Sequence, residues 1–422
     1  MGPAYPCVTP PETHLMSPTH PLRVITTLPD LTAYQDRVLP LIALSKSSEV
    51  SLVYLLTVEG QRLEHLEAHP KLKVIEAPRR GYLRWISRWL LERLEAGAVE
   101  VVHDCFGHLA LAFERPREGL YPVRLTVQYT TNWGWFQRVR PLGFELSARY
   151  AYLRAQSLWL DARVTRASDR VVVLGPGHER DLIEGHGLSP EQITVIPPEV
   201  DATRFYPKPA LFERPRERRH PPQTGQLIHL LYVGALSRNK GLDLLLGAFS
   251  RLAELNPNLR LTLIGRVPPF EASWLQDRLE RCEAKGVIEA LPALPQTALI
   301  SHYQRAHLYL FPSRFEGSPR SLREALACGC VCVSADLPGC RGLDPEGDFI
   351  HFVPEHSLEA WIQATRDALH EPQSDHRARA LRGVEHMRSA HSPQVVADHY
   401  LSLYQQLIEA RRAQFDPMTQ DK

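Results

Sequence analysis

The chain has 422 residues, more than a single hydrophobic core usually organises, so we expect two domains with a ligand cleft between them. Its 49 Lys and Arg residues balance 48 Asp and Glu residues at a formal charge of +1, so no global field attracts nucleic acid or anionic lipid. No apolar run approaches the roughly 18 residues of a membrane span and the N-terminus has no secretory-signal pattern, so we expect a cytoplasmic protein, soluble or peripheral at the inner face of the membrane.

The first half of the chain predicts a parallel, doubly wound sheet. Residues 1–21 are rich in Pro and Thr and lack periodicity, which predicts a disordered lead. From residue 22 to 206, short β-branched runs alternate with longer amphipathic stretches. The predicted strands are LRVITTL, VSLVYLL, LKVIEAP, VEVVHDC, VRLTVQY, DRVVVLG and ITVIPPE.

The second half repeats this pattern after a break. Residues 207–226 are rich in Pro and charge and are predicted to form a linker or exposed loop. Across residues 227–391 the predicted strands are LIHLLYVGAL, LRLTLIG, GVIEAL, AHLYLFPS, CVCVSAD and DFIHFVP. Residues 392–412 predict a helix long enough to return across the domain junction, and 413–422 a tail. We therefore expect two Rossmann-like domains in tandem.

The seven cysteines form no Cys-x-x-Cys pair. Cys328, Cys330 and Cys332 alternate along an apolar run, which is typical either of a thiolate face for a metal or of small apolar side chains in a buried strand. We prefer the second interpretation, and expect reduced thiols and no bound metal.

Residues 311–329, FPSRFEGSPRSLREALACG, carry the strongest chemical signal. A strand is predicted to end at Phe311 and a loop to follow it. Ser318 is expected to cap the next helix, Pro319 to open it and Gly329 to end it. This places the start of a helix at the carboxyl edge of a parallel sheet, where nucleotides usually lie.

Two carboxylates flank this helix start. Glu316 precedes it in the loop, and Glu324 follows about 9 Å along the helix axis. A diphosphate on the free N–H groups would leave both carboxylates within reach of sugar hydroxyls. The alternative is that each carboxylate is solvated or paired with Arg320 or Arg323.

The spacing of Glu316 and Glu324 resembles the E-x7-E signature of the retaining glycosyltransferases of family four. LLYVGALSRNKGLDLLLGAF resembles the family's phosphate-binding strand, loop and helix, with Lys240 at the basic position and Gly234 and Gly241 at the glycines. SADLPGCRGL resembles the segment that follows the signature helix, and residues 169–207 the segment that ends the first domain.

This resemblance implies the GT-B fold, in which two Rossmann-like domains face a cleft. It also implies retaining transfer of a hexose from a nucleotide-diphosphate sugar, the co-substrate, to a polysaccharide, lipid or small molecule, with no cofactor. Lys240 would contact the donor phosphates, Glu324 the ribose, and Glu316, as a catalytic residue, the sugar or its phosphate. The donor-binding residues expected on this basis are Gly234, Arg238, Lys240, Gly241, Arg266, Gly317, Ser318, Pro319, Arg320, Ser321 and Glu324. The chain has no Asp-x-Asp cluster, so we expect transfer without a metal ion.

The chain departs from the family pattern at the phosphate loop. Ala235 stands where the family usually has an arginine, and either Arg238 or Arg266 is expected to supply that cation unless it faces solvent.

The N-terminal half departs further. A histidine that is common in the family after the fifth strand is replaced by Gln128 and Tyr129. His103 and Asp104 end another strand and are our candidates for catalytic residues of this half; the alternative is that His103 is a core histidine.

Two aromatic regions are candidates for acceptor or membrane contact. Residues 79–95 predict an amphipathic helix with Trp85 and Trp89 on its apolar side, which fits an anionic membrane surface or, by preference, an ordinary helix that covers its sheet. Trp133, Trp135 and Phe136 follow a strand and would stack on a sugar or polyprenyl chain, or lie in the core.

Two alternatives to a transferase remain open. One is a catalytically inactive homologue that acts as a binding subunit, and the other is a different enzyme on the same architecture, such as an epimerase or a phosphorylase.

Overall fold

The computed structural model describes residues 21–28, 31, 35–61, 66, 68–95, 99–105, 123–128, 165, 168–211, 227–283, 287–354 and 356–415. Outside these residues lie the predicted lead up to residue 20, residues 212–226 of the predicted linker, the tail from residue 416, and the aromatic residues Trp133, Trp135 and Phe136.

The N-terminal domain is built on a seven-stranded parallel sheet in the order β3-β2-β1-β4-β5-β6-β7. Its strands are β1 (Leu22–Thr27), β2 (Val50–Val58), β3 (Leu72–Ala77), β4 (Val101–Cys105), β5 (Val123–Gln128), β6 (Arg170–Val173) and β7 (Ile193–Val195). Its described helices are α1 (Leu39–Lys46), α2 (Tyr82–Glu95) and α3 (Pro176–His186). Every strand predicted for this half is present.

The C-terminal domain is built on a six-stranded parallel sheet in the order β10-β9-β8-β11-β12-β13. Its strands are β8 (Ile228–Val233), β9 (Leu259–Ile264), β10 (Val287–Leu291), β11 (Leu308–Phe311), β12 (Val331–Ala335) and β13 (Ile350–Val353). The helices that follow β8 are α4 (Leu242–Leu255), α5 (Ala272–Glu283), α6 (Gln296–Arg305), α7 (Arg320–Ala327), α8 (Pro338–Arg341), α9 (Leu358–His370), α10 (Gln373–Ala390) and α11 (Pro393–Phe415).

The strand order places a ligand crevice in the C-terminal sheet. The chain runs outward from β8 through β9 to β10, then crosses back to β11 on the other side of β8. The loops that leave β8 and β11 therefore diverge to opposite faces, and the crevice between them at the carboxyl edge is where such sheets bind ligands. The predicted fold class, two doubly wound α/β domains, is confirmed.

Helix α11 packs on the N-terminal sheet although it follows the C-terminal domain in the chain. Its apolar side chains, including Val396, Tyr404 and Leu407, belong to the same buried cluster as Val24 of β1 and Leu125 of β5. This helix begins at Pro393 and therefore covers one face of a sheet whose last strand already ends at Val195.

Helix α2 covers the other face of the N-terminal sheet with its apolar side. Ile86, Trp89 and Leu90 are buried, and the Trp89 ring meets the Tyr54 ring edge-on at 5.3 Å between centroids. Leu83 remains 44% exposed. The preferred interpretation of residues 79–95, a helix covering its sheet, agrees with this packing, while membrane contact stays a prediction.

None of the helices in the described part of the chain combines the length and apolarity that crossing a bilayer requires.

The cysteines of the described residues are free and buried. Burial raises the pKa of the Cys340 thiol to about 12 and those of Cys330 and Cys332 well above their usual range, so these side chains are protonated and act as small apolar groups.

Because Trp89 is buried, its substitution tests whether α2 covers the sheet or binds a membrane. We expect Trp89→Ala to lower the free energy of unfolding by about 3–5 kcal/mol, because the side chain is only 9% exposed and its loss leaves a cavity. Leu83→Ala, on the exposed side, is the control and should change it by less than about 0.5 kcal/mol. Denaturant titration measures both; an unchanged stability in Trp89→Ala, with loss of sedimentation on anionic liposomes, would favour the membrane hypothesis.

Candidate functional site

A cavity of about 350 Å³ opens at the carboxyl ends of β8 and β11, and we call it the sheet-edge cavity. Its walls include residues that the sequence predicts for the donor site, together with apolar and amide side chains. The predicted residues that line it are Gly234, Lys240, Glu316, Pro319, Arg320, Ser321 and Glu324. The other lining residues are Tyr232, Val233, Leu294, Gln296, Leu299 and Phe311.

An ion pair spans one side of the cavity. The Lys240 Nζ donates to Glu316 Oε1 at 2.5 Å, and the Ser313 hydroxyl donates to the same oxygen at 3.0 Å. The two charged side chains are 28% and 15% exposed, so solvent screens their attraction only in part. Lys240 ends the 3₁₀ turn Arg238–Lys240 before α4, while Glu316 lies in the loop between β11 and α7.

Arg314 ties these two loops together. Its guanidinium donates to both carboxylate oxygens of Asp243, at 2.6 and 2.7 Å, and also to the Arg238 carbonyl. Its backbone N–H donates to the Asn239 carbonyl at 3.2 Å. This two-pronged pairing fixes orientation as well as distance. Sequence reasoning missed Arg314 and Asp243, because no local signal joins residues 71 positions apart.

Glycines let the loops approach. Gly241 has a φ of +71°, and a Cβ there would lie 1.9 Å from the Pro312 carbonyl oxygen. At the end of β9, a Cβ on Gly265 would lie 1.7 Å from the Gly234 carbonyl oxygen. Neither position has room for any larger residue.

Glu324 also lines the cavity and is 5% exposed. Its Oε2 accepts a hydrogen bond from the Tyr303 hydroxyl at 2.9 Å, and its Oε1 lies 3.5 Å from the Gln296 amide nitrogen. Burial, followed by the Glu324 charge, raises the pKa of Tyr303 well above its usual range, so Tyr303 stays a donor. Sequence reasoning missed Tyr303 and Gln296, which lie on α6 and not in the motif.

Helix α7 starts one residue later than predicted. Pro319, expected at the first helical position, is the cap residue in place of Ser318, and no side chain caps the helix. The Ser318 hydroxyl instead accepts a hydrogen bond from the Arg323 guanidinium at 2.6 Å, which removes it from the helix N–H groups. No side chain caps these N–H groups, and the residues at this helix start, Pro319 and Ser321, line the cavity. The predicted stop at Gly329 is present, with a φ of +78°.

Comparison with known families agrees with this geometry. The family model described as "Glycosyltransferase Family 4" matches residues 44–204, and the one described as "Glycosyl transferases group 1" matches residues 213–381. The chain is a family-four-type glycosyltransferase. The two matches fall on the N-terminal and C-terminal domains respectively.

Curated relatives match part of the chain. A D-inositol 3-phosphate glycosyltransferase of Kineococcus radiotolerans is 28% identical over 60% of this chain and 61% of its own length. The protein of the same name from Thermobifida fusca is 29% identical over 60% of this chain and 58% of its own length. The chain thus matches about three fifths of the length of these relatives.

Solved structures match nearly the whole fold. A sucrose-phosphate synthase from Thermosynechococcus elongatus has a TM-score of 0.70 at 18% identity, covering 92% of this chain and 100% of that one. Anabaena HepE in complex with UDP-glucose has a TM-score of 0.65 at 15% identity, covering 91% and 100%. These likenesses show that the two domains form the GT-B fold.

The cations proposed to replace the missing arginine of this glycosyltransferase lie elsewhere. Arg238 donates from Nε to Oε2 of the buried Glu271 at 3.0 Å, and its guanidinium lies 5.6 Å from the Trp274 ring. Arg266 is exposed. Neither lines the sheet-edge cavity, whose lining cations are Lys240 and Arg320.

Two further predicted residues, His103 and Asp104, are buried within β4, not at its end as predicted, and neither lines the sheet-edge cavity. His103 Nδ1 lies 2.6 Å from the Tyr404 hydroxyl of α11, and Asp104 accepts from the Thr27 hydroxyl at 3.3 Å. Burial lowers the pKa of His103 to about 3, so the ring is neutral at pH 7. The structure brings these residues to α11 and β1 rather than to the cavity, and their catalytic role stays a prediction.

The contact between Gly241 and Pro312 can be tested against a matched glycine. Gly187 also has a positive φ, +65°, but a Cβ there meets nothing within 4 Å. We expect Gly187→Ala to cost about 1 kcal/mol of stability, the cost of a left-handed backbone alone. Gly241→Ala should cost at least about 2 kcal/mol more and should separate Lys240 from Glu316. Chemical denaturation measures the difference, and equal losses would show that the two loops move apart at no cost.

The buried histidines predict how stability depends on pH. Burial lowers the pKa values of His103 and His391 to about 3, whereas an unfolded histidine titrates near 6.5. Between these values the unfolded chain binds more protons than the native protein, so stability falls as the pH falls from 6.5 toward 3. Each histidine should contribute a loss of about 2 kcal/mol between pH 7 and pH 5.

The variants that check this pH dependence are His103→Gln and His391→Gln. Each should flatten the curve of unfolding free energy against pH relative to that of the wild-type protein. Urea titrations at several pH values measure the slopes. Curves parallel to the wild-type curve for both variants would contradict the assignment.

Proposed function

We propose that this family-four-type glycosyltransferase transfers a hexosyl group from a nucleoside-diphosphate sugar to an acceptor, with retention of configuration and without a metal ion. The observation that carries the proposal is the sheet-edge cavity, where Lys240, Glu316, Glu324 and the start of α7 converge. The resemblance of Glu316 and Glu324 to the E-x7-E signature supports retention. That HepE has been solved with UDP-glucose supports a nucleotide-sugar donor.

The diphosphate would lie at the start of α7. There the backbone N–H groups, which no side chain caps, and the helix dipole favour a negative charge, and Lys240 and Arg320 add two cations from the cavity wall. When the glycosidic bond breaks, the departing oxygen gains negative charge, which these fixed donors stabilise. This is the work that a divalent cation does in other phosphate sites, so EDTA should leave activity unchanged.

Glu324 would hold the ribose. Tyr303 orients its carboxylate by the hydrogen bond to Oε2. A buried carboxylate oriented in this way accepts hydrogen bonds from vicinal hydroxyls without first losing a full shell of water. This interaction exists in both the bound donor and the product nucleotide, so it contributes to affinity.

Glu316 would act on the transferred sugar. Its charge is balanced by Lys240, whose Nζ lies 2.5 Å from Oε1. When a diphosphate arrives, Lys240 gains a second anionic partner, and the carboxylate of Glu316 becomes available to a sugar hydroxyl or to positive charge that develops at the anomeric carbon. Through this ion pair, the binding of the diphosphate to Lys240 would make the Glu316 carboxylate available to the sugar.

These two roles predict different effects of removing each charge. Glu324→Gln should weaken the binding of UDP and of the intact donor alike, by about tenfold, because one charged hydrogen-bond acceptor is lost in every nucleotide complex. Glu316→Gln should leave UDP affinity equal to wild type or tighter, since Lys240 loses a competing anion. Its turnover should fall by about two to three orders of magnitude.

The measurements are calorimetric titration with UDP and release of UDP from UDP-glucose, with GDP and ADP compounds tested in parallel. Arg251→Gln, on the exposed face of α4, is the control and should change neither quantity. NMR of the glycoside product reads the anomeric configuration directly. A wild-type protein that binds none of these nucleotides, or equal affinity losses in both variants, would refute the proposal.

A further inference from the structure

The N-terminal domain contacts the loop that carries Glu316. Helix α3 packs against α8, and the turn before α3 faces the Glu316–Gly317 backbone. A Cβ on Gly175 would lie 2.4 Å from the Gly317 carbonyl oxygen. A Cβ on Gly339 would lie 2.6 Å from that same oxygen and 2.4 Å from the Glu316 carbonyl. The Gly317 peptide is therefore enclosed between one glycine of each domain.

The His178 side chain completes this contact. Its imidazole occupies the position that a side chain on Gly317 would take, because a Cβ there would lie 1.6 Å from Nε2 and 1.7 Å from Cε1. His178 is 1% exposed, so the ring has no open solvent into which to turn. The three nearest atoms to such a Cβ all belong to His178. The His178 ring of the N-terminal domain therefore packs against Gly317 of the C-terminal domain in a space that exists only because Gly317 has no side chain.

We propose that His178 is a positioning residue for Glu316: it holds the Glu316–Gly317 segment in place from the opposite domain, and only when the two domains are closed. The proposal rests on the proposed function, in which Glu316 acts on the transferred sugar. The nucleotide groups would bind residues of the C-terminal domain alone, whereas the orientation of Glu316 depends on a wall supplied by the N-terminal domain. Closure of the two domains therefore orients Glu316 for transfer, through the contact of His178 with the Gly317 peptide.

The fit predicts rescue of one substitution by another. Gly317→Ala collides with the imidazole and should hold the domains apart. His178→Ala removes the three atoms that lie nearest to the new methyl group, so the double variant should close again. Small-angle X-ray scattering without ligand measures this: the radius of gyration should increase in Gly317→Ala and return to the wild-type value in the double variant. An unchanged radius in Gly317→Ala, or an expanded double variant, would overturn the proposal.

Kinetics distinguish positioning from a general loss of stability. His178→Ala should lower turnover of UDP-glucose by about tenfold or more while the dissociation constant for UDP stays within about twofold of wild type. Gly317→Ala should lower turnover by about a hundredfold, and the double variant should recover part of this loss. His186→Ala, which removes a buried histidine from the far end of the same helix, is the matched control and should leave turnover unchanged.

The two experiments separate this proposal from the proposed function. Scattering needs no nucleotide, so closure is tested even if wild-type protein fails to bind UDP, an outcome that would refute the proposed function instead. Equal losses of turnover in His178→Ala and His186→Ala would show that His178 has a structural role only and would overturn the positioning role.

Discussion

The backbone of Gly241 passes so close to the Pro312 carbonyl that no side chain fits between them, and the sheet-edge cavity depends on this approach. It brings the loop after β8 against the loop after β11, so that Lys240 reaches Glu316. Arg314 then fixes the two loops by pairing with Asp243 and the backbone of the 3₁₀ turn. An ion pair between two flexible loops contributes little to stability by itself. Because Arg314 fixes both loops, Lys240 and Glu316 are instead held in one arrangement before a ligand binds.

Glycines also allow close backbone contact where the two domains meet. Gly175, Gly317 and Gly339 bring three backbone segments together, and the His178 ring occupies the space beside Gly317. Contacts between backbones allow almost no sideways adjustment, because a shift of an ångström turns contact into overlap. Such an interface is suited to two discrete arrangements, open and closed, and poorly suited to intermediate ones.

The sheets follow directly from the sequence, because β-branched runs spaced by amphipathic stretches permit few arrangements other than a parallel doubly wound sheet. The helix at Arg320–Ala327 was likewise predictable from Pro319 and Gly329, although the hydroxyl of Ser318 binds Arg323 rather than the helix N–H groups. Local patterns do not reveal partners that are distant in the chain. His103 lies in the middle of β4 rather than at its end as predicted, and its hydrogen-bond partner Tyr404 lies 301 residues away.

Helix α11 also sets the order in which the molecule can be completed during synthesis. Tyr400 and Tyr404 belong to the core of the N-terminal sheet, whose last strand, β7, ends at Val195. At about 5–20 residues per second, a ribosome needs roughly 10–40 s to add the intervening chain. Throughout that interval the N-terminal sheet lacks one of its covers and exposes apolar surface. The nascent N-terminal half is therefore a natural client for chaperones that shield apolar surface, until the last helix arrives to complete its core.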